Sequence, residues 1–83
     1  LVLLQRTGAL LARRGAAVIN VDVVVMAQRP RLAAHTGAMV EALARSLGVA
    51  PDRVSVKATT TERLGFVGRE EGLAAQAVAL VRL

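Results

Sequence analysis

A chain of 83 residues accommodates one domain, and domains of this size bury only about 60% of the surface their unfolded form exposes. Hydrophobic residues make up 54% of the sequence but aromatics only 1%, so the core must be built from Ala, Val and Leu, and burial against other subunits is favoured. The absence of cysteine excludes a disulfide framework and a thiolate metal site, while a net charge of +5 points to anionic partners or to a solvated basic surface.

Residues 1–14 predict a helix, with Leu3, Leu4, Leu10 and Leu11 near one face and Arg13 and Arg14 in the last turn, where they complement the helix dipole. Gly15 is positioned to terminate it. Leu1 has no capping residue before it, as if the chain began inside a helix. Gln5 and Arg6 interrupt the apolar residues 1–4, no signal-peptide layout follows, and no apolar run approaches the ~20 residues of a membrane span.

Residues 17–28 are β-branched and alternate, which predicts a long strand. Ile19, Val21, Val23, Val25 and Ala27 share one face; Asn20, Asp22, Val24 and Met26 share the other. Asn20 and Asp22 form either a polar site or a pair that satisfies nearby backbone donors. Arg29-Pro30-Arg31 breaks the strand, because Pro30 removes a donor and biases Arg29 toward extended geometry.

Helical period returns over 34–47, where Met39, Val40, Leu43, Ala44 and Leu47 form a stripe, with Glu41 and Arg45 paired at i,i+4 opposite it. Both methionines, Met26 and Met39, read as core filler. The lone histidine, His35, reads as a cap or surface residue at the helix start, since a catalytic zinc takes three protein ligands. Gly48 ends the helix, Pro51-Asp52-Arg53 makes a turn, and 54–58 alternates as a second strand. Residues 73–83 fit helix by alanine content and strand by alternation. The order predicts helices on one face of a sheet.

The stretch KATTTERLGFVGREEG, residues 57–72, concentrates three hydroxyls followed directly by the carboxylate of Glu62, three glycines and the only aromatic residue just beyond a strand end. Hydroxyls and glycine amides suit phosphate oxygens, and a carboxylate beside them suits Mg²⁺ shared with those phosphates. Equally, β-branched threonines extend a strand and glycines permit turns. The ten arginines are scattered and no aromatic residues interleave them, which argues against a nucleic-acid platform.

These residues resemble a known family. NVD at 20–22, AQRPR at 27–31, VSVKATTTERLGF at 54–66 and GREEGLAAQAVALV at 68–81 are similar to the 2-C-methyl-D-erythritol 2,4-cyclodiphosphate synthases, whose usual pattern is NVD, AQxPK, VNVKATTTExLGFTGRGEG and IAxxAVALL. The departures are Arg31 for Lys, Ser55 for Asn, Val67 for Thr and Glu70 for Gly, the last adding a charged side chain near the expected subunit axis. The resemblance covers the carboxyl-terminal half of the family, so 1–83 is expected to be the carboxyl-terminal part of a single domain. An amino-terminal half would supply an Asp-x-His pair and a further His as ligands for Zn²⁺ or a similar cation, and no such motif occurs here.

The resemblance implies an α+β fold with helices packed on one face of a mixed β-sheet, and residues 73–83 as strand. It implies a phosphorus–oxygen lyase of the non-mevalonate isoprenoid pathway that cyclises a cytidine-diphosphate-linked methylerythritol 2-phosphate and releases CMP. Ala27, Gln28, Arg29, Pro30, Arg31, Leu32 and Ala33 would surround the cytosine. Thr59, Thr60 and Thr61 would contact the diphosphate, with Thr60 as the catalytic transition-state stabiliser, and Glu62 would ligate Mg²⁺. Phe66 and Arg69 would reach substrate or line a trimer cavity, with Glu71 beside Arg69. A homotrimer in the cytoplasm or plastid stroma is implied, without nucleic-acid or membrane partners. The alternative is a non-catalytic cytidine-nucleotide-binding or trimerisation module derived from the same family; the isolated chain, lacking the zinc ligands, is expected to be inactive.

Overall fold

Helix α1 (Val2–Arg13) stops where Gly15 enters the left-handed region at φ +72°. The Ala16 and Gly15 amides then donate back to the carbonyls of Leu11 and Ala12, both at 3.0 Å. Helix α2 (Thr36–Leu47) ends the same way at Gly48, φ +69°, with Val49 and Gly48 donating to Ala44 and Arg45. Both terminators satisfy carbonyls that the helix would otherwise leave open. A computed structural model describes residues 1–83. Between and beyond the helices lie β1 (Ala17–Met26), β2 (Val54–Thr59), a one-turn helix α3 (Gly65–Gly68) and β3 (Ala74–Arg82), with 3₁₀ turns at Ala33–His35 and Pro51–Arg53.

The three strands form one mixed sheet in the order β2-β1-β3. β1 and β2 run parallel, joined by the crossover that contains α2, as parallel pairing requires. β3 returns antiparallel along the other edge of β1. The register places Val21, Val23 and Val25 of β1 opposite Val54, Val56 and Ala58 of β2, so the apolar alternation of both strands meets on one face. α2 packs on that face, and α1 lies beside α2. The fold is therefore α+β with helices on one face of a mixed sheet.

Several expectations are refined. β1 ends at Met26 rather than Gln28, although the Ala27 amide still donates to the Thr59 carbonyl at 3.0 Å. The helix expected over 34–47 opens with the 3₁₀ turn at 33–35 and becomes α-helical at Thr36. The leucine face expected of α1 is largely uncovered: Leu3 and Leu10 are exposed and no α1 residue is buried, because only α2 lies alongside it with a substantial contact. Glu41 and Arg45 form no ion pair. The ambiguous segment 73–83 is strand, because its alternating residues find the free edge of β1.

The core is small. Only Ala27, Ala44, Val54, Val67 and Gly68 are buried. The radius of gyration is 14.3 Å, against about 12 Å for a compact chain of this length. Uncovered apolar surface lies on α1, with Leu3 77% exposed, and on β3, with Val78 73% and Leu80 55% exposed. No helix is long and apolar enough to cross a membrane.

Candidate functional site

Because β1 and β2 are parallel, both end at the same edge of the sheet, with Met26 opposite Thr59. Carboxyl ends of parallel strands are where open α/β sheets form ligand crevices. Here the chain leaves β1 as 27–33 and β2 as 60–64. The two exits enclose a cavity of about 300 Å³ lined by Ala27, Arg31, Leu32, Ala33, Ala58, Thr59 and Thr60. Four apolar side chains, two hydroxyls and one guanidinium line it, a mixture that suits a ligand with both an apolar and an anionic part.

The turn after β2 assigns different duties to its three threonines. The Thr61 hydroxyl donates to the Leu64 carbonyl at 2.7 Å, and the Leu64 amide returns a bond to the Thr61 carbonyl at 3.0 Å. Its proton is thus spent inside the turn. The Thr59 hydroxyl donates to the Thr60 carbonyl at 3.2 Å. The Thr60 oxygen accepts from the Glu62 amide at 3.3 Å, which leaves the Thr60 proton free for an external acceptor. Thr59 and Thr60 line the cavity, whereas Thr61 does not.

Glu62 and Arg63 both adopt left-handed backbone, φ +54° and +64°, which costs an L-residue about 1–2 kcal/mol. Two contacts hold Arg63 there. Its amide donates to the side-chain oxygen of Gln28 at 3.0 Å, tying the turn after β2 to the segment after β1. Gly68, from the end of α3, presses against its backbone. Glu62 itself is exposed and forms no ion pair.

A second, more polar cleft of about 460 Å³ lies alongside, lined by Gln28, Arg29, Pro30, Arg31, Arg63, Gly68 and Glu70. Arg31 borders both spaces. The structure thus gathers residues 27–33 around two adjoining cavities but leaves Glu62, Phe66 and Arg69 off both linings. Phe66 is half exposed, with Gly72 against its ring. Arg69 pairs with Glu71, its Nε reaching both carboxylate oxygens at 3.1 Å.

Elsewhere, Asn20 and Asp22 border a separate hollow of about 270 Å³ with Asp52, Arg53 and Ser55. Their side chains form no internal hydrogen bond; it is Arg53 that donates to the Ile19 carbonyl at 3.2 Å, beside the β-bulge at 18–20. His35 is exposed and does not cap α2. Met26 and Met39 are half buried. The residues that sequence reading left unassigned are Arg63 and Gly68. The glycine itself was the available signal for a close backbone approach, but its partner was not visible.

The donor set also decides which cations these residues can hold. Glu62 offers one carboxylate, which fits Mg²⁺ bound largely by phosphates and water. No group of three or more His, Cys, Asp or Glu side chains is assembled, so these residues do not form a protein-ligated zinc site.

Comparison with known proteins supports the fold. The crystal structure of 2C-methyl-D-erythritol 2,4-cyclodiphosphate synthase from Plasmodium vivax matches with a TM-score of 0.91 and 33% identity, over 95% of this chain and 53% of that one. A structure of such a synthase in a CDP-bound form matches with a TM-score of 0.78 and 28% identity, over 98% of this chain and 51% of that one. A 2-C-methyl-D-erythritol 2,4-cyclodiphosphate synthase from Dehalococcoides mccartyi is 54% identical over 81 residues, which are 98% of this chain and 52% of the relative. The chain spans about half the length of the curated relatives it matches. A family model described as the YgbB family matches residues 1–82, and the chain belongs to that family.

Proposed function

We propose that this chain contributes the nucleotide-binding part of a 2-C-methyl-D-erythritol 2,4-cyclodiphosphate synthase, an enzyme that closes a CDP-linked methylerythritol 2-phosphate into a cyclic diphosphate and releases CMP. The observation that carries this reading is the cavity in which Ala27, Arg31, Leu32 and Ala33 meet Ala58, Thr59 and Thr60. The CDP-bound form of a similar structure supports a cytidine nucleotide as its occupant.

In this reaction an oxygen of the 2-phosphate forms a bond to the β-phosphorus. The bond from that phosphorus to the oxygen bridging the α-phosphorus breaks, and the oxygen leaves with its electron pair as part of CMP. Positioning and charge neutralisation dominate such a transfer. Ala27, Leu32 and Ala33 supply apolar walls for the base. Thr60 directs its free hydroxyl proton at a phosphate oxygen, where charge grows in the transition state. Arg31 adds a permanent positive charge at the cavity edge. Mg²⁺, when bound through Glu62 and the phosphates, supplies further charge neutralisation. The residues here provide no zinc site.

The uncovered apolar surface of β3, with Phe66 half exposed beyond it, supports assembly into a homotrimer that buries this surface. The reading is tested by calorimetry of CDP and CMP against the complete native polypeptide. Cytidine nucleotides are expected to bind, and an Ala33→Glu variant, which places a carboxylate in the cavity wall, is expected to lose them. Absence of cytidine nucleotide binding in the folded complete polypeptide would overturn it.

A further inference from the structure

The larger cleft has a different chemistry from the nucleotide cavity. Apart from Pro30, its walls are polar, charged or the bare backbone of Gly68. Three guanidinium groups, from Arg29, Arg31 and Arg63, line it with a single carboxylate, Glu70. Arg29 pairs with Glu70 through Nε at 3.3 Å, while Arg31 and Arg63 have no acidic partner. The lining is left with two uncompensated positive charges, and guanidinium forks match the oxygens of phosphate-class anions.

The backbone around the cleft is also held against its preference. Arg63 and Glu70, both lining residues, are non-glycine residues in the left-handed region, and Arg63 is fixed there by Gln28 and Gly68 from the same walls. Strain maintained by its surroundings points to a functional demand on that position.

We propose that this cleft is a second anion site, separate from the nucleotide cavity, that takes a phosphate-class oxyanion of two or more charges, and that Glu70 tunes its affinity by competing for Arg29. A volume of about 460 Å³ accommodates a diphosphate, and Arg31, bordering both spaces, couples the two sites electrostatically. The site does not depend on the nucleotide reading.

The test is calorimetry of inorganic diphosphate against the complete native polypeptide, with metal chelated so that Glu62 cannot bridge to the anion through a cation. Diphosphate is expected to bind with CMP already saturating. Arg63→Gln is expected to weaken it at least about fivefold, and Glu70→Gln to strengthen it by a similar factor. Arg63→Gly, which suits the left-handed backbone, should weaken it equally and so separates charge from folding. Binding that CMP abolishes completely, or that both Arg63 variants leave unchanged, would overturn the second site while leaving the nucleotide reading intact. Diphosphate binding sensitive to Arg63 in a protein that ignores CMP would support the site and overturn the nucleotide reading.

Discussion

Gly68 sits so close to Arg63 that a β-carbon built on it would overlap the Arg63 carbonyl carbon and lie 2.5 Å from its Cα. Both contacts are with backbone, so no side-chain rotation can relieve them. Gly68→Ala must therefore push the turn after β2 away from α3. We expect a loss of about 2–3 kcal/mol in chemical denaturation. Unchanged stability would show that the two segments are not pressed together.

Glu70 ends α3 in the way that Gly15 and Gly48 end the longer helices. The Glu71 and Glu70 amides donate to the Phe66 and Val67 carbonyls at 2.9 and 3.0 Å, and Glu70 has φ +63°. Glycine is the usual occupant of such a position, and it is the residue in the family's usual pattern here. Glu70→Gly relieves left-handed strain but forfeits the exposed Arg29–Glu70 pair, which is worth at most about 1 kcal/mol. The net expectation is a gain of up to about 1 kcal/mol in urea unfolding. A clear loss would mean that the ion pair outweighs the backbone.

Thr60 and Thr61 make opposite predictions despite being neighbours. Thr60→Ala in the complete enzyme removes a free donor from the nucleotide cavity, and turnover should fall about 10²–10³-fold with modest change in CMP affinity. Thr60→Ser should restore most of it. Thr61→Ala instead removes the bond to the Leu64 carbonyl, so its main cost should appear as about 1 kcal/mol of stability. Equal turnover losses for both alanine variants, without a stability difference, would contradict this division.

Glu62 directly follows the three threonines in sequence, and it has no ion-pair partner within the chain. Glu62→Gln in the complete enzyme keeps its size and removes its charge. Turnover should drop, and the Mg²⁺ concentration giving half-maximal rate should rise. An unaltered Mg²⁺ dependence would remove Glu62 as a ligand.

The 83 residues by themselves should not catalyse cyclisation. Their donor set offers one carboxylate, Glu62, beside the threonines and no cluster of three metal-binding side chains. Losing a single well-placed electrostatic group costs about 10²–10³ in rate, and the family resemblance implies a second metal. CMP release by the purified chain with Mg²⁺ and Zn²⁺ present should be at background. Turnover near that of a complete relative would refute this.

Much of this protein is legible in its local chemistry. Helix ends at Gly15 and Gly48 can be read from the sequence because left-handed backbone is a property of the residue itself. The inward faces of β1 and β2 can be read because side chains alternate strictly along a strand, and KATTTE followed by LGF is specific enough to suggest a family. What stays hidden depends on partners distant in the chain. Residues 74–82 become strand because β1 offers them an open edge, a fact that no window of about eleven residues contains. Gln28 meets the Arg63 amide across 35 positions, and Gly68 is required only because the turn carrying Arg63 folds back onto it. The three threonines look equivalent in sequence; their hydroxyls separate only when the turn closes and Leu64 and Glu62 come within hydrogen-bonding reach. Propensity and periodicity act over a few bonds, whereas a shared cavity is decided by which chain segments the sheet brings to the same edge.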